Sequence, residues 1–123
     1  MQTEQLIALV REALDDVKAR DIDVIDVRGK SSITDFMLIA SGTSKRHVVS
    51  LAQAVSDKVK QAGIEPLGTE GQNDGDWVLV DLGELVVHIM MPDARSYYDL
   101  ERLWRFDPLG DETAETIVSV LKG

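Results

Sequence analysis

Chemistry in this sequence could reside in two carboxylate pairs and one glycine-containing turn. Asp21 with Asp23, and Asp74 with Asp76, have the Asp-x-Asp spacing that can hold a divalent metal. Ser41-Gly42-Thr43-Ser44 separates an apolar run from a helical pattern, a position where backbone amides can cradle a phosphate. Nucleotidyl transfer can use such a turn when paired carboxylates stand on the following strand. Here the first pair precedes the turn and the second falls in a Gly-containing loop, and the turn serves equally well as a helix cap. There is no Walker-type loop, no Gly-x-Ser-x-Gly elbow and no His-Glu-x-x-His. Without cysteine there is no disulfide, no zinc–cysteine or iron–sulfur site and no thiol nucleophile. His47 and His88 are the imidazoles. His88, opposite a Trp, is either a packed, hydrogen-bonded residue or a ligand, and the spacing supplies no partners for the second role. The expectation is no catalytic residue, no metal site and no cofactor, with function exercised by binding.

The elements that would position these groups follow from periodicity. Leu6, Ile7, Val10, Ala13, Leu14 and Val17 recur at three- and four-residue steps and predict a first helix with Thr3 as its N-cap. Ile22, Val24, Ile25 and Val27, ending at Gly29, predict a strand, and Phe36 to Ala40 a second one covered on both faces. Ser44 caps a second helix with Val48, Leu51, Ala52, Val55 and Val59 on one face and Gly63 at its end. Ile64 to Leu67 is the next strand, completing a βαβ-like unit. Trp77 to Leu82 and Leu85 to Met91 predict an antiparallel hairpin. Tyr97, Leu100, Leu103 and Trp104 share a helix face, and Thr113 to Leu121 is a closing helix. The order α-β-β-α-β-β-β-α-α predicts an α/β fold with a mixed sheet of about five strands and helices packed on it. With 123 residues, 44% hydrophobic and 28% charged, residues 1–123 fit one domain.

The formal charge is −9, and its distribution excludes more than its sum. Residues 1–29 carry seven acids and four bases, residues 30–63 two acids and five bases, and residues 64–123 thirteen acids and four bases. The last stretch would repel phosphates, so direct, sequence-specific nucleic-acid binding is excluded as an expectation, whereas a basic protein partner would be attracted. No apolar run approaches the roughly 20 residues that span a bilayer. Met1 to Val10 has no basic stretch before its apolar residues, and the expected location is the cytoplasm.

The hairpin is the most informative segment. With the turn centred on Leu82 and Gly83, Trp77 would pair with His88, Val78 with Val87 and Leu79 with Val86. One face would carry Trp77, Leu79, Asp81, Val86, His88 and Met90, and the other Val78, Val80, Leu82, Leu85, Val87, Ile89 and Met91. A half-solvated hairpin alternates apolar and polar residues, and this one is apolar on both faces. Either helices cover both faces, or one is left for another protein. In the second case Trp77, Leu79, Asp81, Leu82, His88 and Met90 form the partner-binding surface, with Trp77 as anchor and Asp81 facing a partner's Lys or Arg. Tyr97, Tyr98 and Trp104 are read as core or dimer packing, and an unpaired hairpin edge would let a homodimer form.

Three ordered blocks carry a family resemblance. The first is Asp35-Phe36, Ile39-Ala40-Ser41-Gly42-Thr43-Ser44 and Arg46-His47-Val48. The second is Glu70-Gly71, Trp77-Val78-Leu79-Val80-Asp81-Leu82-Gly83 and Val86-Val87-His88, and the third is Tyr97-Tyr98-Asp99-Leu100-Glu101 with Leu103-Trp104. Together they resemble the ribosomal silencing factor, or Iojap, family from the first helix to Trp104. The resemblance implies a non-catalytic, nucleotidyltransferase-like mixed α/β fold without the metal-binding carboxylates. It also implies a repressor of translation that binds the large ribosomal subunit through its fourteenth ribosomal protein and blocks subunit joining when nutrients fall. A small nucleotidyltransferase-like enzyme acting through Gly42, Ser44 and an Asp pair, and a dimeric adaptor for another protein, are the competing readings.

Overall fold

The computed structural model describes residues 1–105. Helix α1 (Thr3–Asp16) buries Leu6, Val10, Ala13 and Leu14 along its apolar stripe. Its N-cap is Gln2 rather than Thr3, because the Gln5 side chain turns back to accept the Gln2 N–H at 2.9 Å and draws Thr3 into the first turn. Strands β1 (Arg20–Asp26) and β2 (Phe36–Ser41) pair antiparallel, with a register shift between Arg20 and Asp23 where Asp21 adopts φ 52°. Helix α2 (Lys45–Gln61) starts at Ser44, as expected, with the Ser44 hydroxyl accepting the His47 N–H at 3.0 Å.

The next strand, β3, is Gly68–Glu70 and not Ile64 to Leu67. The Ile64 N–H is still bonded to the Val59 carbonyl at 2.9 Å, so this segment finishes the helix before the chain can extend. Strands β4 (Trp77–Asp81) and β5 (Leu85–Met90) follow. The segment expected to be one helix is two, α3 (Pro92–Tyr98) and α4 (Leu100–Arg105), separated by Asp99 in the left-handed region at φ 49°. That residue reorients the chain, which buries Leu100 and Trp104 and turns Tyr97 to solvent. The observed order of elements equals the expected one, but both closing helices lie before residue 106; the expected helix Thr113 to Leu121 is outside the described residues.

The sheet order is β1-β2-β5-β4-β3, with β2 and β5 parallel and the other neighbours antiparallel. The α2 crossover therefore carries the chain past two strands, not to the adjacent position of a simple βαβ unit. The β4–β5 hairpin is interior, so the expected free hairpin edge does not exist; the edges are β1 and β3. Its register differs by two from the expected one, pairing Trp77 with Met90, Leu79 with His88 and Asp81 with Val86. The turn is Gly83-Glu84, closed by the Leu82 N–H on the Leu85 carbonyl and by the Gly83 N–H on Asp81 Oδ1, both 2.9 Å. Gly83 sits at φ 87°, the left-handed geometry that a two-residue hairpin turn requires. A shift of two preserves the pleat, so every side chain keeps its expected face.

Helices cover both faces. Leu38, Ala40, Val78, Val80, Val87 and Ile89 pack beneath α1 and α2. Ile25, Met37, Ile39, Trp77, Leu79, Val86 and Met90 pack with Leu100 and Trp104 of α4 on the other side. No helix among the described residues is long and apolar enough to cross a membrane.

The β3–β4 loop has two glycines at positive φ, Gly71 and Gly75, and the closer approach is at Gly71. Gly71 lies at φ 90°, and a Cβ there would overlap the Trp77 carbonyl oxygen. Gly71→Ala is expected to lower the unfolding free energy by about 3 kcal/mol or more in urea titration. Gly68→Ala, whose Cβ would meet nothing within 4 Å, should stay within about 1 kcal/mol of the parent. Equal losses at the two positions would contradict this assignment of the loop.

Candidate partner-binding face

On the α4 side of the sheet, Trp77 Nε1–H donates to His88 Nδ1 at 2.9 Å, with both side chains buried. An indole nitrogen can only donate, so His88 Nδ1 is unprotonated and the neutral ring carries its proton on Nε2. Burial pushes the His88 pKa down to about 3, which keeps the ring neutral at physiological pH. The packed, hydrogen-bonded reading of His88 is the one the geometry supports. Its Nε2 has no hydrogen-bond partner among the described residues, and neither has Trp104 Nε1.

The six residues expected to contact a partner all lie on or beside this hairpin, and all six are buried. Leu79, His88 and Met90 are at 0% exposure, and Trp77, Asp81 and Leu82 at 7–8%. Two of them also leave the expected surface for other reasons. Leu82 faces the α1–α2 core, and Asp81 is engaged by the Gly83 N–H in the turn. The expectation of direct contact through these side chains is therefore corrected: they form the floor of a face, not its surface. The cause is the cover on both faces of the hairpin, by α1 and α2 on one side and by α4 on the other.

What reaches solvent above Trp77 is α3. Tyr98 packs on Trp77 with ring centroids 4.7 Å apart, and Tyr97 meets Tyr98 edge-on at 5.0 Å. Tyr97 is 83% exposed and Tyr98 39%, so a continuous aromatic series runs from the core to the surface. The expectation of core packing therefore fails for Tyr97 and Tyr98, neither of which is buried, and holds for Trp104. Helix α3 itself has no buried residue. It is held by Arg95, which donates to Glu101 at 2.7 and 3.2 Å and to Ser41 Oγ at 2.9 Å. This fork ties α3 to α4 and to the end of β2; nothing in the local sequence pattern announced it. Asp93 and Asp99 flank the tyrosines and give the face an acidic rim.

The candidate phosphate-binding turn is occupied from within. The Thr43 N–H donates to His47 Nδ1 at 2.9 Å, and His47 Nε2 donates to the Val17 carbonyl at 2.7 Å. The Asp74 and Asp76 carboxylates approach Lys45 at 3.9 and 3.6 Å, and Asp23 accepts from Arg105 at 2.8 Å. The two Asp-x-Asp pairs thus stand apart, one at the β1 edge and one beside the start of α2, each opposite a cation.

A mixed five-stranded sheet, helices on both faces and an exposed aromatic pair on one side define a small α/β protein. Comparison with known proteins gives that class its family. The model of a family described as "Ribosomal silencing factor during starvation" matches residues 1–120, and the chain belongs to that family, which bears the name of a regulator. Ribosomal silencing factor RsfS of Haemophilus influenzae is 52% identical over 80% of this chain and 97% of its own length. The Bacillus subtilis protein of the same name is 40% identical over 90% and 94%. "Mitochondrial assembly of ribosomal large subunit protein 1" from mouse is 34% identical over 96% of this chain and 51% of its own length. A crystal structure of a Chromobacterium violaceum protein superposes with a TM-score of 0.83 at 44% identity, covering 85% of this chain and 87% of that one.

The buried imidazole makes a pH prediction. Unfolded, His88 takes up a proton near pH 6.5; folded, it resists until about pH 3, so its contribution to stability is complete above about 6.5 and is lost as pH falls. His88→Gln keeps an acceptor for the indole and removes the titration. The stability difference between parent and variant should therefore shrink below pH 6.5 by up to about 1.4 kcal/mol per pH unit in urea titrations. A constant difference down to about pH 4 would contradict a neutral, buried His88.

Proposed function

We propose that this protein represses translation by binding the large ribosomal subunit through its fourteenth ribosomal protein, which blocks joining with the small subunit under nutrient limitation. The observation that carries the reading is the exposed Tyr97–Tyr98 pair stacked on buried Trp77, in a chain of the silencing-factor family. Aromatic side chains with a rigid backing lose little conformational freedom on docking and dominate interface energetics. The acidic rim and the net charge of −9 favour a basic ribosomal protein over rRNA and speed encounter with it at low salt. The name of the mouse relative, which attaches that protein to large-subunit assembly, supports the choice of subunit. Occupancy of a surface needed by the small subunit is sufficient for silencing, and no bond has to break.

In this reading Trp77, Leu79, Asp81, Leu82, His88 and Met90 act from beneath, by fixing the hairpin on which α3 sits. The protein works in the cytoplasm, where the subunits join. A homodimer cannot use the hairpin edge and would have to use other surfaces; Tyr97 and Tyr98 are the exposed large aromatics open to it among the described residues. Self-association through them would compete with docking.

Co-sedimentation with isolated large subunits, followed by addition of small subunits, tests the proposal. The protein should travel with the large subunit and reduce the joined-particle peak. Tyr97→Ala should fold with an unchanged melting temperature and bind roughly tenfold or more weakly, a loss of about 1.4 kcal/mol or more. Trp77→Ala should lose about 2 kcal/mol or more of binding, together with stability, because it also empties core volume. A folded Tyr97→Ala variant that binds large subunits as tightly as the parent would overturn the aromatic face as the docking site.

A further inference from the structure

Helix α3 sorts its side chains onto two faces at helical spacing. Ala94 and Tyr98, one turn apart, face inward, Ala94 onto the α4-side core and Tyr98 onto Trp77. Asp93 and Tyr97, also one turn apart, share the outward face, and both are exposed. Such pairs stand about 5–6 Å apart at Cβ, close enough for one incoming group to touch both. Among the described residues Asp93 has no ion pair and no hydrogen bond, and the cation–π contact they make is Arg28 over Phe36, elsewhere on the surface. The cation of α3 itself, Arg95, is committed to Glu101 and to Ser41 Oγ.

This face selects the side chain that can cover it. Tyr97 meets Tyr98 at 87° and stays 83% exposed, so its ring stands up from the helix with a face open to solvent. An apolar side chain laid on it would strip water from the Asp93 carboxylate and return no hydrogen bond. An acidic side chain would be repelled by Asp93 and by the thirteen acids, against four bases, of residues 64–123. A cation satisfies both groups, the ring through its quadrupole and the carboxylate through its charge. A guanidinium does so better than an ammonium, because its plane stacks on the ring while its edge N–H groups reach sideways to the carboxylate.

We propose that the outward face of α3 receives an arginine side chain of the protein partner, stacked on the Tyr97 ring and paired with Asp93. The inference rests on the docking reading above and deepens it, from a basic partner to one contact of stated chemistry. Tyr98, backed by Trp77, keeps the Tyr97 ring in place for that contact. Arg95 does not fill the position from within, because both ends of its guanidinium are already bonded.

The test is equilibrium binding of the full chain to purified large subunits, with variants that separate the electronic character of the ring from its size. Tyr97→Phe keeps the ring face and should bind within about twofold of the parent. Tyr97→Leu keeps apolar area without that face and should bind about threefold or more weakly. Asp93→Asn should weaken binding by a similar factor and flatten its dependence on salt. Its melting temperature is measured alongside, because Asp93 also stands in the first turn of α3, and a purely structural loss would leave the salt dependence unchanged. Phenylglyoxal footprinting of the bound subunit should find an arginine of a ribosomal protein protected by the parent, and more reactive under Tyr97→Leu at full occupancy. Tyr97→Leu binding as tightly as the parent while Tyr97→Ala binds weakly would overturn the arginine contact and leave the docking face standing. Unchanged salt dependence in Asp93→Asn, or protection of lysines with no protein arginine protected, would overturn it in the same way. Tyr97→Ala binding as tightly as the parent would overturn the docking face, and this contact with it.

Discussion

The Trp77–His88 hydrogen bond is the constraint around which the α4 side of the molecule is arranged. It joins two residues in the middle of a sheet that is covered on both faces, where an indole N–H or an imidazole nitrogen left alone would be costly. The bond fixes the His88 tautomer, sets the tilt of the Trp77 ring and so provides the plane on which Tyr98 rests. Tyr97 then stands against Tyr98, outside the core. The proposed docking face is thus an extension of the core through three rings, and its geometry follows from a buried polar contact.

The same arrangement explains why burial and function are compatible in this hairpin. A partner needs a rigid aromatic surface, and rigidity is supplied from below by side chains that are themselves inaccessible. Arg95 adds the lateral restraint, holding a seven-residue helix with no buried side chain against α4 and the end of β2. Besides that fork, α3 is positioned by the Tyr98–Trp77 contact and by Ala94, which packs against the same core.

Much of this was legible in the sequence. The apolar stripes of α1 and α2, the Ser44 cap and the doubly apolar hairpin identified the elements, because each is a local pattern with a direct physical cause. The face assignment of each hairpin residue held even though the register was off by two, since the pleat repeats with that period. What stayed hidden depends on contacts between distant segments. The interior place of the hairpin follows from pairing of β3 with β4 and from parallel pairing of β2 with β5, which α2, β3 and β4 separate, and sequence pattern carries no record of such neighbours. Leaving one face of the hairpin open to a partner is what put Trp77 and His88 on the surface, whereas helices cover both faces. The left-handed turn at Asp99, a single residue, decides that Tyr97 points outward while Trp104 points inward.

The central claim is that large-subunit docking occurs on the α3 side of the sheet and not on the α1–α2 side. Hydrogen–deuterium exchange of the protein, free and bound to purified large subunits, tests it most directly. Exchange should slow on binding in residues 92–98 and stay unchanged on the exposed turns of α1 and α2. Protection confined to α1 and α2, with residues 92–98 exchanging as in the free protein, would contradict the account.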